Sequence, residues 1–198
     1  MQQTKHVTRC EWCGTDKGYQ DYHDQVWGRP VNDPIELFAK LCLDGQQAGL
    51  SWITILRKQQ SYYQAFAQFQ PENIALFTEQ DCQRLMENTG IVRNKLKINA
   101  IVKNAKAYLA IEAAGQSFSE YIWQFVEGKT IVNSYTTVQE IPTESPQSQA
   151  MSKALKKAGF SFVGPTICYA FMQAVGMVND HVAGCHVYQE TVALAKVE

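Results

Sequence analysis

The sequence predicts an all-α fold of roughly seven to nine helices. Three observations predict it. Ser, Thr or Asp repeatedly stands just ahead of an apolar stretch, and Pro opens several of the helices that follow. Glycine closes most of those stretches, at Gly90, Gly115, Gly128, Gly159 and Gly176. Only "KTIVNSY", residues 129–135, reads as extended chain.

In chain order, "NDPIELFAKLCLDG" offers Asp33 as N-cap, Pro34 at the first helical position and Glu36 two residues on, with Ile35, Phe38, Leu41 and Cys42 at helical spacing. "LSWITILRKQQSYYQAFAQF" predicts one second helix, stopped before Pro71. "TEQDCQRLMENTG" places Asp81 three residues after Thr78, a capping-box spacing. "NKLKINAIVKNAKAYLAIEAAG" predicts a long helix with Leu96, Ile101, Ala105 and Leu109 in one stripe, and "SFSEYIWQFVEG" pairs Ser117 with Glu120. "SQAMSKALKKAG" and "PTICYAFMQAVG" are two helices joined by a short glycine-containing turn, while "IPTESPQSQ" is a loop within one domain.

A chain of 198 residues suits one large domain, or one domain with a lobe. It contains no run of about 18 or more apolar residues, so no membrane span is expected. The start "MQQTKHVTRCEWCG" lacks the apolar run of a signal peptide. A cytoplasmic protein is expected, and thiols stay reduced there. The six cysteines then need an explanation other than disulfides. Cys42, Cys82 and Cys168 sit inside helical patterns and are expected to be small core residues. A net charge of −1 does not announce nucleic-acid binding. The basic clusters Arg93, Lys95, Lys97 and Lys153, Lys156, Lys157 read first as solvated helix faces.

"NDHVAGCHVY" pairs His181 with Cys185 at i and i+4, which share a face if the segment is helical. A structural zinc takes four Cys or His ligands. The second pair has four candidates, His6, Cys10, Cys13 and His23, and spacing does not choose between Cys13 and His23; His186 is a neighbouring decoy. Either choice ties the two ends of the chain together, and four filled positions leave none for an activated water. In "KKAGFSFVGPTICYAF", Gly164 precedes a helix start at Pro165, where backbone N–H groups attract a phosphate. That is the arrangement of a helix–hairpin–helix DNA anchor, with Lys156 and Lys157 as supporting charge.

Together, "YHDQVWG", "DGQQAGLSWITIL", "GIVRNKLKINAIVKNAKAYL", "KALKKAGFSFVGPTICYAFMQAVGMVNDH" and the Cys/His set resemble the 3-methyladenine DNA glycosylase I family, the constitutive bacterial type. The resemblance runs from Cys10 to about Tyr188; residues 1–9 and about 189–198 are expected to be peripheral. It implies a single glycosylase domain over 1–198, two-lobed and of the helix–hairpin–helix type, with a DNA-facing cleft. One structural zinc would clip the N- and C-terminal segments through Cys10, His23, His181 and Cys185. The implied substrate is double-stranded DNA containing 3-methyladenine. Hydrolysis of the N-glycosidic bond releases the base and leaves an abasic site, without strand cleavage. A monomer with no membrane partner is expected.

Alkylation at N3 makes the base a cation and weakens its bond to the sugar, so extruding and holding the base is the harder task. The resemblance puts Tyr19, Tyr22 and Trp52 in the base pocket, where electron-rich rings attract a cation. It puts Asp44 there as the pocket carboxylate, although the family's usual residue is Glu, one methylene longer. Gly49 and Leu50 match the family's plug, an apolar wedge for the gap in the duplex. Related glycosylases carry a catalytic Asp just after the hairpin. Asp180 lies near that position and is a candidate for that role, or for orienting His181. A second reading, a zinc-clipped DNA-binding module without activity, rests on the Asp44 departure. A zinc deaminase is not expected, because no H-x-E…P-C-x-x-C pattern occurs.

Overall fold

The computed structural model describes residues 7–195. The helices are α1 (Lys17–Gln25), α2 (Pro34–Gln47), α3 (Trp52–Leu56), α4 (Gln59–Ala65), α5 (Pro71–Ile74), α6 (Glu79–Glu87), α7 (Lys95–Ala113), α8 (Phe118–Trp123), α9 (Pro146–Lys157), α10 (Pro165–Ala174) and α11 (Tyr188–Leu194). The caps read from sequence form as expected. The Asp33 carboxylate accepts from the Ile35 and Glu36 amides at 2.9 and 2.8 Å, and Thr78–Asp81 and Ser117–Glu120 are reciprocal capping boxes.

α2 is the central element. It packs against α3, α7, α8 and α10 and buries Leu37, Phe38, Leu41 and Leu43 completely. Cys42, Cys82 and Cys168 are buried, as expected for core residues. Three expectations need correction. The single helix expected over residues 50–69 is broken into α3, α4 and a left-handed turn in which Ala67, Gln68 and Phe69 have φ of 48°, 55° and 54°. The turn folds Phe69 back onto Phe38 (6.4 Å between ring centroids) and Tyr63 (5.0 Å), so burial overrides local helix propensity. The buried stripe of α7 is Ile98, Ile101, Val102, Ala105 and Ile111, while Leu96 is 72% exposed. Five residues advance a helix by about 500°, which sets Leu96 about 140° away from Ile101. Residues 189–194, expected to be peripheral, belong to α11, where Thr191 is buried and Glu190 pairs with Arg29 at 2.8 Å.

The extended stretch forms β1 (Ile131–Val132), which pairs in parallel with β2 (Val178–Asn179) in the register Ile131 to Val178 and Val132 to Asn179. This short ladder fixes the chain just ahead of His181. No helix among the described residues is long and apolar enough to cross a membrane.

Candidate functional site

Cys10, His23, His181 and Cys185 converge. All four are buried, and their ligand atoms lie within 4.8 Å of one another. α1 supplies His23. The segment carrying His181 and Cys185 is a run of turns rather than the helix that would explain an i, i+4 pair, with the Cys185 amide bonded to the Val182 carbonyl at 2.8 Å. Sulfur–nitrogen separations are 3.7 Å (Cys10 Sγ to His181 Nδ1), 3.5 Å (Cys185 Sγ to His23 Nε2) and 3.7 Å (Cys185 Sγ to His181 Nδ1). Zinc–ligand bonds of 2.3 Å to sulfur and 2.0–2.1 Å to nitrogen, set at the tetrahedral angle, would leave these atoms about 3.6 Å apart. The group therefore fits a four-coordinate metal.

The outer ring nitrogens are also held. His23 Nδ1 meets Asp24 Oδ1 at 2.7 Å, and His181 Nε2 meets the Trp27 carbonyl at 3.1 Å. Such partners fix which ring nitrogen is left to face the two thiols, where a metal would sit. Burial pushes the Asp24 carboxyl up, but Arg9, His23 and His186 hold it well below the usual carboxylate range. The neighbouring Cys10 thiol and the His181 and His23 rings hold the Cys185 thiol low, while Cys185 and burial push the Cys10 thiol up. Cys13 donates its S–H to the Cys10 carbonyl and stands outside the group; His6 lies outside the described residues. At Gly28 a Cβ would come within 2.9 Å of His181 Nε2, and φ is +79°, so only glycine fits this corner.

Beside the cluster lies a cavity of about 270 Å³. It gathers the predicted Tyr19, Tyr22, Asp44 and Trp52, and adds Trp12, Trp27, Lys40 and Gln47, which the sequence reading missed. Tyr22 and Trp52 are 5.4 Å apart between centroids, and Trp12 contacts both Tyr19 (5.1 Å) and Trp27 (5.0 Å). Trp27 in turn stands edge-on to His181 at 4.5 Å, so the aromatic wall rests on the Cys/His group. Trp12 was hidden as a spacer inside "CEWC". Lys40 was legible in principle, one helical turn before Asp44 on α2.

Asp44 is only 2% exposed and sits within α2, so it is no helix-end cap. Lys40 Nζ donates to its Oδ1 and lies 3.7 Å from the centroid of the Trp52 ring. Burial raises the Asp44 pKa and lowers that of Lys40, and each partner's charge opposes the shift in the other. Asp44 Oδ2 and Trp52 Nε1 are buried and have no hydrogen-bond partner among the described residues. A buried polar group left unpaired costs about 1–3 kcal/mol. Both residues line the cavity, so a ligand that shifts their side chains slightly would meet an acceptor and a donor there.

α2 ends in a turn at Gly49, φ +76°, which leaves Leu50 41% exposed rather than in the core. Lys97 clamps this turn. It is not on a solvated face, as the basic cluster suggested; it is 6% exposed, and its Nζ donates to the carbonyls of Gln46 (2.7 Å) and Ala48 (2.6 Å). A smaller cavity of about 180 Å³ joins Asp44 and Leu50 to Thr166 and Ala170 of α10.

α9, a tight turn and α10 form a helical hairpin. Asn104 of α7 braces the turn through both the amide (2.8 Å) and the carbonyl (3.2 Å) of Ser161, and Ser152 Oγ donates to the Val163 carbonyl at 2.6 Å. Gly164 caps α10 without a side-chain partner, and a Cβ built on it would meet nothing within 4 Å. Lys156 and Lys157 are exposed at the end of α9. Asp180 is fully buried, with its oxygens taken by Asn133 (2.6 Å), Tyr169 (2.7 Å) and Gln173 (2.9 Å). It does not orient His181; the Trp27 carbonyl does.

The methyladenine glycosylase family model matches residues 12–188. The chain is 54% identical over 179 residues to a DNA-3-methyladenine glycosylase of Haemophilus influenzae, covering 90% of this chain and 97% of that protein. A crystal structure of a 3-methyladenine DNA glycosylase I superposes with a TM-score of 0.90 at 51% identity, covering 90% of this chain and 98% of that one. A tyrosine-to-phenylalanine variant of a 3-methyladenine DNA glycosylase I, solved in complex with 3-methyladenine, superposes with a TM-score of 0.87 at 40% identity, covering 90% and 96%.

Proposed function

The chain belongs to the methyladenine glycosylase family, and we propose that its aromatic cavity, with Asp44 and Trp52, is the pocket that receives the extruded base. The protein is a DNA glycosylase. It hydrolyses the N-glycosidic bond of 3-methyladenine in alkylated DNA and releases the free base. The observation that carries the pocket assignment is the orphaned pair Asp44 Oδ2 and Trp52 Nε1. The exocyclic amino group of adenine is a donor for Asp44, and its ring nitrogens are acceptors for the indole N–H. The rings of Tyr19, Tyr22 and Trp52 supply flat apolar contact and cation–π attraction, about 0.5–2 kcal/mol for each well-placed ring.

The chemistry asks little of an acid. The alkylated base already carries the positive charge, so the glycosidic electron pair passes to it and it leaves neutral. Water adds at the sugar carbon and loses a proton. Asp44 favours the cation and orients it, and the dry aromatic wall strengthens that interaction. Asp180, with its oxygens held by three donors, serves the fold rather than the reaction. Incubation with methylated duplex DNA tests this function. 3-Methyladenine should appear in the supernatant while the strands stay intact until alkali cleaves the abasic sites; a supernatant without the base would refute it.

Zinc is the metal that best suits a buried, tetrahedral two-thiolate, two-imidazole group. With Cys10, His23, His181 and Cys185 filling all four positions, the ion would be scaffold rather than catalyst, supplying a tie between the chain ends. The hairpin of α9 and α10 is read as a helix–hairpin–helix anchor, Leu50 and Gly49 as the plug, and the two helical lobes as flanking a DNA cleft. The protein would act in the cytoplasm as a monomer.

The anchor carries its own test. Gly164 has φ −65° and free space around its Cβ position, so the protein's packing does not demand glycine there. Close approach of a phosphate does. Gly164→Val should leave thermal stability unchanged. It should weaken binding to damaged and undamaged duplex alike by about three- to tenfold, the worth of one hydrogen bond of roughly 1 kcal/mol. Loss confined to damaged DNA would disprove the assignment.

A further inference from the structure

Both groups assigned to the cationic base are already gripped by a cation of the protein itself. Lys40 stands one turn before Asp44 on α2. Its ammonium donates to Asp44 Oδ1 and rests 3.7 Å from the centroid of the Trp52 ring, and these two contacts account for its polar partners among the described residues. Resting on the pocket reading above, we propose that Lys40 is a displaceable countercharge of the base site: its ammonium holds the place between Asp44 and the Trp52 ring that a cationic base takes, so a cationic base displaces it and a neutral one does not.

Binding a cationic base exchanges like for like. A buried carboxylate and a buried ammonium sum to zero charge, and burial without a partner is costly for either. A base that enters as a cation replaces the Lys40 charge on Asp44, and the pocket remains neutral overall. A neutral base that drove Lys40 away would leave Asp44 without a countercharge. It is therefore confined to the free Oδ2 and denied the ring face that Lys40 covers. The same asymmetry operates after the reaction. When the glycosidic electron pair passes to the base, the base loses its charge and with it its claim on Asp44. Lys40, whose side chain is 13% exposed and can swing on four methylenes toward solvent, returns to the carboxylate and favours product departure. Lys40 thus loosens the pocket's hold on the released product, which is neutral and cannot displace it as the attached cation does.

Calorimetry with two probes tests this. One is neutral 3-methyladenine, in buffer basic enough to keep it uncharged. The other is an adenine alkylated at N3 and N9, a permanent cation whose N9 methyl stands in for the sugar. The unmodified protein should bind the cation more tightly than the neutral base. Lys40→Met should bind the neutral base about tenfold more tightly than the unmodified protein, the fold-change of one charge-assisted hydrogen bond no longer contested, and should tighten on the cation by at least as much, since the cation no longer has to displace an ammonium. Lys40→Arg keeps a cation and should stay near the unmodified protein. Weaker or unchanged binding of the neutral base by Lys40→Met overturns the proposal, because Lys40 would then be a direct contact or a bystander. If Lys40→Met fails to fold, equal affinity of the unmodified protein for both probes overturns it. Failure to bind either probe, with no base released from methylated DNA, would instead overturn the pocket reading and the proposal with it.

Discussion

Replacing Cys185 with Ala is expected to strip the metal from the protein and to lower its melting temperature by on the order of 10 °C. The ligands it joins are far apart in the chain: Cys10 and His181 are 171 positions apart, and His23 and Cys185 are 162. A tie across so long a loop removes much unfolded-chain entropy, by analogy with long-loop disulfides worth about 4–5 kcal/mol. Loss of one ligand also leaves a buried thiolate and two imidazoles around an empty centre. The aromatic wall should loosen with it, since Trp27 supports both His181 and Trp12. Metal analysis should find one zinc per chain in the unmodified protein and none in the variant. Cys13→Ala, which removes a thiol outside the group, should keep its zinc. A Cys185→Ala protein with full zinc content and unchanged melting temperature would contradict the assignment.

Asp44→Asn should weaken affinity for free 3-methyladenine by about one to two orders of magnitude. A hydrogen bond to a charged acceptor is worth roughly 1.5–3 kcal/mol, and about 1.4 kcal/mol is tenfold. Excision should fall less, because the bond is labile before the enzyme acts and no proton passes through Asp44. Asn matches the carboxylate in size but leaves the Lys40 ammonium without its countercharge, so the melting temperature should fall and is measured beside the affinity. Asp44→Glu restores the residue usual in the family and should be tolerated if the cavity admits one more methylene. Free-base titrations and single-turnover excision, run on both variants beside the unmodified protein, check this. Unchanged affinity in Asp44→Asn would show that base recognition rests on another group.

How much of this was legible in the sequence differs by element. Caps and stops are local, and Asp33, Thr78 and Ser117 announced them correctly. The helix over 50–69 was misread because its break depends on Phe69 reaching Phe38, a contact no local pattern carries. The metal group was half legible. Spacing found His181 and Cys185 but left Cys13 level with His23, and the inward path of α1 that decides between them is a tertiary fact. The aromatics Tyr19, Tyr22 and Trp52 and the carboxylate Asp44 came from the resemblance, and the fold brings them together. Lys97 was lost because a basic residue near other basic residues reads as solvated; its role at the Gly49 turn needs α7 laid against the end of α2. Lys40 was lost because an i, i+4 Lys–Asp pair on a helix is most often a surface ion pair. Only burial on α2 makes it part of a pocket.

The account turns on a base seated against Asp44 and Trp52. A structure of the unmodified protein with bound 3-methyladenine tests it most directly. The account predicts the base within the aromatic cavity, its amino group about 3 Å from Asp44 Oδ2 and a ring nitrogen accepting from Trp52 Nε1. A base bound elsewhere, or one in the cavity that leaves both atoms without partners, would contradict it.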